Sequence, residues 1–400
     1  MMEPEESVIY LDYAATTPVD PRVVDAMVAC LGPDGAFANP ASTHPPGMKA
    51  RALVERARAQ IAERIGATPQ EIVFTSGATE SNNLALKGAL LGHKSGASGT
   101  AGPERLLTTR IEHKAVLDTA TFLADEGIVV EYLPTDANGR LGLNVLEEAL
   151  RASNQPALVS VMHVNNELGT VQDVAALAQL CAGFGAWLHV DAAQSVGKLP
   201  IDLAAWGVQL CALTAHKICG PKGIGALYVR TGTPLAPQVH GGAHEHGLRS
   251  GTLATHQIVG MGESFALADP AVQQPRIEAL SERLWRGLQA IDGVRRNCAA
   301  ESAIPNILSV CFSGVEGESL RLALADLAVS AGSACNSAVA EPSYVLRSIG
   351  LSDALAGSTL RISIGRFTTE AEVDRAVRRI SDEVGRLRRI AQAAPAWCSG

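Results

Sequence analysis

Lys217 stands in "TAHKICGPKGIG", between an apolar run and a Gly-rich turn, where a lysine is either a solvated surface residue or a nucleophilic amine held beside a ligand. Asp191 closes the apolar run of "LHVDAAQSVG". The C-terminal ends of parallel strands are where α/β folds hold ligands, although an aspartate there also serves as the N-cap of a following helix. "FTSGATESNN" has the pattern strand, Gly77-Ala78-Thr79, helix, and small residues at a helix start leave backbone N–H groups free for a phosphate. His113 opens a helical segment in "IEHKAVLD", as a polar cap or as a proton carrier. Cys335 lies in "SAGSACNSA", with no large apolar neighbour to bury it. Structural cysteines sit among Leu, Val and Phe. A thiol among small residues is placed to react.

Taken together, these residues match the needs of one cofactor. Pyridoxal phosphate (PLP) requires a lysine for its Schiff base, and a carboxylate against the pyridine nitrogen to keep the ring protonated as an electron sink. It also requires a phosphate cradle and a flat group over the ring. Lys217, Asp191, Gly77 to Thr79 and His113 supply these in turn.

The elements that must position them follow from the apolar pattern. "EIVFTSG", "IVVEYLP", "ALVSVMHV", "AWLHVD", "VQLCALTA" and "GIGALYV" read as short buried strands. They alternate with helical segments such as "RALVERARAQIAERIG", ended by Gly66, and "TESNNLALKGALLG". That alternation predicts an α/β domain with a mainly parallel sheet over residues 16–263. Beyond about residue 264 a long helix, "NILSVCF", a helix from about Ser319, the Cys335 segment, "TLRISIG" and a last charged helix predict a smaller α+β domain. Residues 1–15, with "VIYLDYAATTP", are expected to pack against it, so that the small domain comprises 1–15 and 264–400. His93 to Glu104 reads as a mobile Gly/Ser/Ala connector.

Composition narrows the partners. With 33 basic and 41 acidic residues the net charge is −8, and no long basic run is present. Neither nucleic acid nor an anionic membrane is expected to bind. No apolar stretch reaches the length of a membrane span, and the acidic start "MMEPEESVIY" does not resemble a secretion signal. A cytoplasmic protein is expected. The eight cysteines are scattered without metal or disulfide spacing; Cys211 and Cys311 fall in strand-like apolar runs, while Cys335 and Cys398 do not. His240, His244 and His246 in "VHGGAHEHG" form a compact histidine group, but the expected metal content is none.

The motifs also occur in a recognisable order. "LDYAATTPVDPRV", "IVFTSGATESNNLALKG", "EHKAVLDT", "SVMHVNNELGTVQD", "HVDAAQSVGKLPID", "HKICGPKGIGALYVR", "RSGTLATHQIVGMGE", "GSACNSA", "EPSYVLRSIGL" and "RISIGRFTT" resemble the cysteine desulfurases of the NifS/IscS group. These are PLP enzymes of fold type I in the class V aminotransferase superfamily, and the resemblance runs from about Tyr10 to about Arg389. It implies that Lys217 forms the Schiff base and that Asp191 meets the pyridine nitrogen. Ala78 and Thr79, with Thr214 and His216, would bind the phosphate. Thr252 of "RSGT" would reach that phosphate from the neighbouring subunit of a homodimer. Gln194 and Asn166 would lie near the phenolic oxygen and the substrate, and His113 would stack on the ring and carry protons. Arg361 would hold the carboxylate of L-cysteine, where a planar fork suits the ligand.

The resemblance makes Cys335 the nucleophile that takes the substrate sulfur as a persulfide, leaves L-alanine, and passes the sulfur to an acceptor protein. That acceptor would serve iron–sulfur cluster assembly or the synthesis of another sulfur-containing biomolecule. A selenocysteine lyase, an aminotransferase of the same superfamily and a catalytically inactive sulfur carrier are the competing readings. Cys335 argues against the aminotransferase, and the complete Lys217, Asp191 and His113 set argues against the inactive carrier. This chain departs from the family at "SAGSACNSA", where two serines often precede the glycine, and at Cys219, where a tyrosine is common. Its end, "AQAAPAWCSG", lacks the longer tail with which assembly-type members grip a scaffold protein, which bears on the acceptor.

Overall fold

The computed structural model describes residues 8–92, 102–331 and 342–393. Cys335, Cys398 and most of the expected connector from His93 to Glu104 lie outside the described residues. The chain opens with a two-residue strand, β1 (Ile9–Tyr10). Seven strands then build the main sheet: β2 (Ile72–Thr75), β3 (Arg105–Thr109), β4 (Val129–Leu133), β5 (Ala157–Met162), β6 (Trp187–Asp191), β7 (Leu210–Thr214) and β8 (Gly225–Val229). Their order is β2-β8-β7-β6-β5-β3-β4. Every pairing is parallel except the two made by β8, which runs against β2 and β7. Sheets covered by helices on both faces read as continuous apolar runs, and β2, β5, β7 and β8 are buried at every position.

β3 departs from that pattern because it begins with a charge. Arg105 is nonetheless buried, its guanidinium donating to the carbonyls of Ala149, Leu150 and Ser153 at the end of the helix Leu143–Arg151. It satisfies acceptors that a helix terminus leaves without partners. The helix expected near residue 51 begins earlier, at Pro45. His44 caps it by accepting from the Gly47 N–H at 3.2 Å, and it runs to Arg64, just before Gly66 at φ +63.

The second sheet is antiparallel and is built from β9 (Val294–Arg296), β10 (Ile307–Phe312) and, after the short β11 (Leu327–Ala328), β12 (Thr359–Ser363), in the order β12-β10-β9. β1 pairs in parallel with β11. The two largest apolar clusters are separate from each other. One joins the main sheet to its helices and extends to Phe265 and Ala268. The other gathers β10, β12 and the helices Pro270–Leu288 and Glu370–Ala393, and takes Ile9 and Leu11 from the start of the chain. Among the described residues no helix is long and apolar enough to cross a membrane. The six described cysteines, Cys211 in β7 and Cys311 in β10 among them, are all buried and unpaired.

Candidate active site

The C-terminal ends of the parallel strands open into a cavity of about 1220 Å³. Register sets its floor. Met162 at the end of β5 lies beside Asp191 at the end of β6, and Asp191 lies beside Ala212 in β7. Thr214, two residues on, and Thr75 both face Gly225 of β8. A Cβ at Gly225 would stand 2.6 Å from the Gly77 Cα, so glycine alone lets the turn after β2 close against the sheet. The helix Ala78–Gly92 starts at that turn, and the N–H groups of its first residues, Ala78 and Thr79, have no intrahelical acceptor, the arrangement that suits an anion. Glu80 braces the turn by accepting from the Ser76 N–H at 2.7 Å and from Arg249 Nε at 2.9 Å.

Asp191 is 5 % exposed. Its Oδ2 accepts from Asn82 Nδ2 at 2.8 Å and its Oδ1 from the Ala193 N–H at 2.9 Å, which fixes the carboxylate plane. Lys217 follows β7 in a turn closed by the Ala215 carbonyl, which accepts from the N–H groups of Ile218 and Gly220. That turn is fastened to the N-terminal segment. Thr17 donates both its N–H and its hydroxyl to the His216 carbonyl at 2.9 Å, and His216 Nδ1 meets Thr16 Oγ1 at 3.1 Å. Burial, with Lys217 adding repulsion, holds His216 down to about 4, so its ring is neutral at physiological pH.

His113 is both cap and cavity wall. Its Nδ1 accepts from the Ala115 N–H at 3.1 Å at the start of the helix Lys114–Asp125, which places the proton of the neutral ring on Nε2. Burial lowers its pKa, while the charge of Asp191 opposes the shift. The opposite wall belongs to β12. Arg361 is 2 % exposed; Nη1 donates to the Asn166 carbonyl at 2.9 Å and Nη2 to Asp12 Oδ1 at 2.7 Å. Asp12 Oδ2 accepts from Ser330 Oγ at 2.8 Å.

The cavity thus brings together Ala78, Thr79, His113, Asn166, Asp191, Gln194, Thr214, His216, Lys217 and Arg361. Thr252 is exposed and does not line it. His240 and His246 are exposed, and among the described residues no group of three His, Cys, Asp or Glu side chains is arranged around a metal. Among the described residues, Thr214 Oγ1, Asn166 Oδ1 and Arg361 Nε are buried and find no hydrogen-bond partner. Buried polar atoms are nearly always paired, so these three atoms on one cavity, with Arg361 Nε and the Thr214 hydroxyl able to donate and Asn166 Oδ1 to accept, mark where a polar ligand with both acceptor and donor groups completes the structure. The Ala78 helix start would suit a phosphate, Asp191 a pyridine nitrogen and the Lys217 amine an aldehyde carbon, so the residues present fit PLP.

Several residues of the site carried no signal of their own. Glu112, beside His113, is buried and raised to about 8 by burial, with Thr109 donating to its Oε1 at 2.7 Å. Glu167, beside Asn166, is raised to about 7 by burial and accepts from Ser343 Oγ at 2.5 Å. Asp12, Asn82 and Lys198 also act here. Adjacency to His113 and Asn166 was the available clue for the two glutamates; nothing distinguished Lys198 from a surface lysine.

Comparison with known proteins agrees with this geometry. The model of the family "Aminotransferase class-V" matches residues 9–376. Cysteine desulfurase IscS of Aeromonas hydrophila is 54% identical over 394 residues, covering 97% of this chain and 95% of that protein. Among solved structures, a NifS-like protein superposes with a TM-score of 0.86 at 35% identity, covering 95% of this chain and 100% of the other. SspA in complex with cysteine gives a TM-score of 0.80 at 38% identity, covering 90% and 100%. With its cofactor-shaped cavity at the ends of a mainly parallel sheet, the chain belongs to the class-V aminotransferase family, in its cysteine desulfurase branch.

Proposed function

We propose that this protein is a PLP-dependent cysteine desulfurase in which Lys217, Asp191 and His113 serve the cofactor, Arg361 receives the carboxylate of L-cysteine, and Cys335 accepts the sulfur. The observation that carries the reading is the convergence of Lys217, Asp191 and His113 on one cavity with the orphaned polar atoms of Thr214, Asn166 and Arg361. The cysteine bound to the structurally similar SspA supports the substrate.

When bound, PLP supplies an electron sink conjugated to the substrate amino group. The chain's own residues do the rest. Asp191, oriented by Asn82 and the Ala193 N–H, would accept a hydrogen bond from the protonated ring nitrogen of bound PLP. The Arg361 guanidinium retains unfilled N–H donors, Nε among them, for a carboxylate. His113 holds its proton on Nε2, and with the Lys217 amine it moves protons to and from the substrate carbon skeleton. The Cys335 thiolate forms the new S–S bond as the substrate Cβ–S bond breaks; a proton reaches Cβ, and the products are L-alanine and a Cys335 persulfide. An acceptor thiol then takes the outer sulfur.

Cys335 lies outside the described residues, but one flank of its segment lines the cavity and the other is tied to Arg361 on the cavity wall. Ser330 bridges to the backbone of Arg361 and bonds Asp12, while Pro342 and Ser343 line the cavity directly. We read residues 16–263 as the cofactor-holding domain and 1–15 with 264–400 as the domain carrying Cys335; the cluster that joins Ile9 and Leu11 to β10 and β12 supports the second, while the main-sheet cluster runs on to Phe265 and Ala268. The exposure of Thr252 supports a homodimer in which it serves the partner's phosphate site. The deciding experiment is incubation of the purified protein with L-cysteine and a reductant. Alanine and sulfide in equal amounts are expected, and the absence of both would overturn the reading.

A further inference from the structure

Lys198 is a buried lysine, 9 % exposed, that none of the chemistry above uses. It sits one helical-type turn beyond Gln194, brought there by Gly197 at φ +70. Its Nζ donates to Gln194 Oε1 at 2.9 Å. The other end of the same amide is held too, with Gln194 Nε2 donating to the Ala14 carbonyl at 2.8 Å. An amine, charged or neutral, has an N–H to give, and a backbone carbonyl can only accept. The two partners therefore fix the amide in one orientation. One N–H of Nε2 remains, on a side chain that lines the cavity.

The charges around Lys198 point the same way. Among the described residues, the ionisable groups that act on it are Lys217, Cys219 and Arg361, with no carboxylate among them. Burial, with Lys217 next, lowers its pKa to about 7. A buried cation without a counter-ion is costly for the fold. It becomes favourable only when an anionic ligand enters the cavity, and its charge strengthens the remaining donor of the amide it touches.

We propose that Lys198 is a positioning residue that clamps and polarises Gln194, so that the Gln194 N–H donates to the phenolic oxygen of PLP. The inference rests on the PLP reading above. Weakening or losing this donor makes the phenolic oxygen more basic, which moves the pH midpoint of the bound cofactor's visible band upward.

The test uses cofactor-loaded full-length protein. In Lys198→Met the midpoint should rise by about one unit, since one unit corresponds to a single modest interaction. Loss of PLP on dilution should be roughly five- to tenfold faster, about the effect of one net hydrogen bond. Gln194→Leu should shift both readouts in the same direction, and the double variant should go no further than the larger single effect. Lys198→Gln, which keeps an N–H toward Gln194, should restore cofactor retention. Thermal melting of the apo-protein should be unchanged or higher in Lys198→Met, because a methionine removes an unpaired buried charge.

Wild-type values in Lys198→Met, additive shifts in the double variant, or an apo-protein melting loss as large as that of the loaded protein would each overturn the inference. So would Lys198→Gln behaving like Lys198→Met. Failure of borohydride to fix PLP to Lys217 in the wild type would remove the cofactor reading itself, and this inference with it.

Discussion

The floor and the far wall of the cavity are built in different ways. On the floor, Asp191, Thr214 and Lys217 follow directly from the ends of β6 and β7, so two neighbouring strands carry them into place. On the wall, Arg361 leaves β12 and is held by Asp12, on the N-terminal segment, and by the Asn166 carbonyl after β5. The floor is thus a product of strand register within one sheet. The wall exists only where three distant parts of the chain meet. The difference separates a rigid cofactor platform from a substrate site whose geometry depends on how the second sheet packs against the first.

Removing the floor's central amine should have the largest effect. Lys217→Ala is expected to abolish alanine and sulfide formation, and borohydride reduction should leave no label on the protein. Residual covalent label in that variant would place the attachment elsewhere. A milder change tests the wall. Arg361→Lys keeps the charge but loses the planar fork, and a charge-assisted hydrogen bond contributes about 1.5–3 kcal/mol. KM for L-cysteine should rise about 10- to 100-fold, with the cofactor's visible band unchanged. If the band shifts instead of KM, Arg361 belongs to the floor and the distinction fails.

A pH experiment sharpens the comparison on the floor side. Glu112 is buried next to His113, and burial raises its pKa to about 8, against an ordinary glutamate value of 4.5. The folded protein therefore binds more protons than the unfolded chain between those values, and on this account stability falls as pH rises through the window. Glu112→Gln is neutral throughout, so the difference in denaturant midpoint between variant and wild type should grow in the variant's favour from pH 5 to pH 8. A constant difference would mean that Glu112 is ionised in the fold. The smallest effect is expected at the rim. Ser343 caps the helix Tyr344–Ser348 by accepting from the N–H groups of Val345 and Leu346, and it donates to Glu167. Ser343→Ala should cost about 1 kcal/mol, typical of a lost cap, with PLP binding unaffected. A loss of cofactor would show that rim and floor are coupled.

The same contrast explains what could be read before folding. Lys217, Asp191 and the Gly77 turn were legible because each follows an apolar run, and the end of a buried parallel strand is where polar residues must emerge. β2, β5, β7 and β8 were visible for the same reason, burial on both faces. β3 was not, because its leading Arg105 has the appearance of a surface charge and is buried only by the carbonyls of a helix end elsewhere in the chain. β9 and β11 are too short to leave a pattern.

By itself, then, the sequence determined the strand-and-helix alternation, the nucleophilic and acidic residues at strand ends, and the family, since all of these are local features of neighbouring residues. Tertiary structure alone decided which charges are buried and what state they take. Asp12 meets Arg361 across most of the chain, Lys198 loses its water without gaining a carboxylate, and Glu112 and Glu167 are raised by burial. Desolvation is a property of everything packed around a group, and most of what surrounds these side chains comes from segments far from them in sequence.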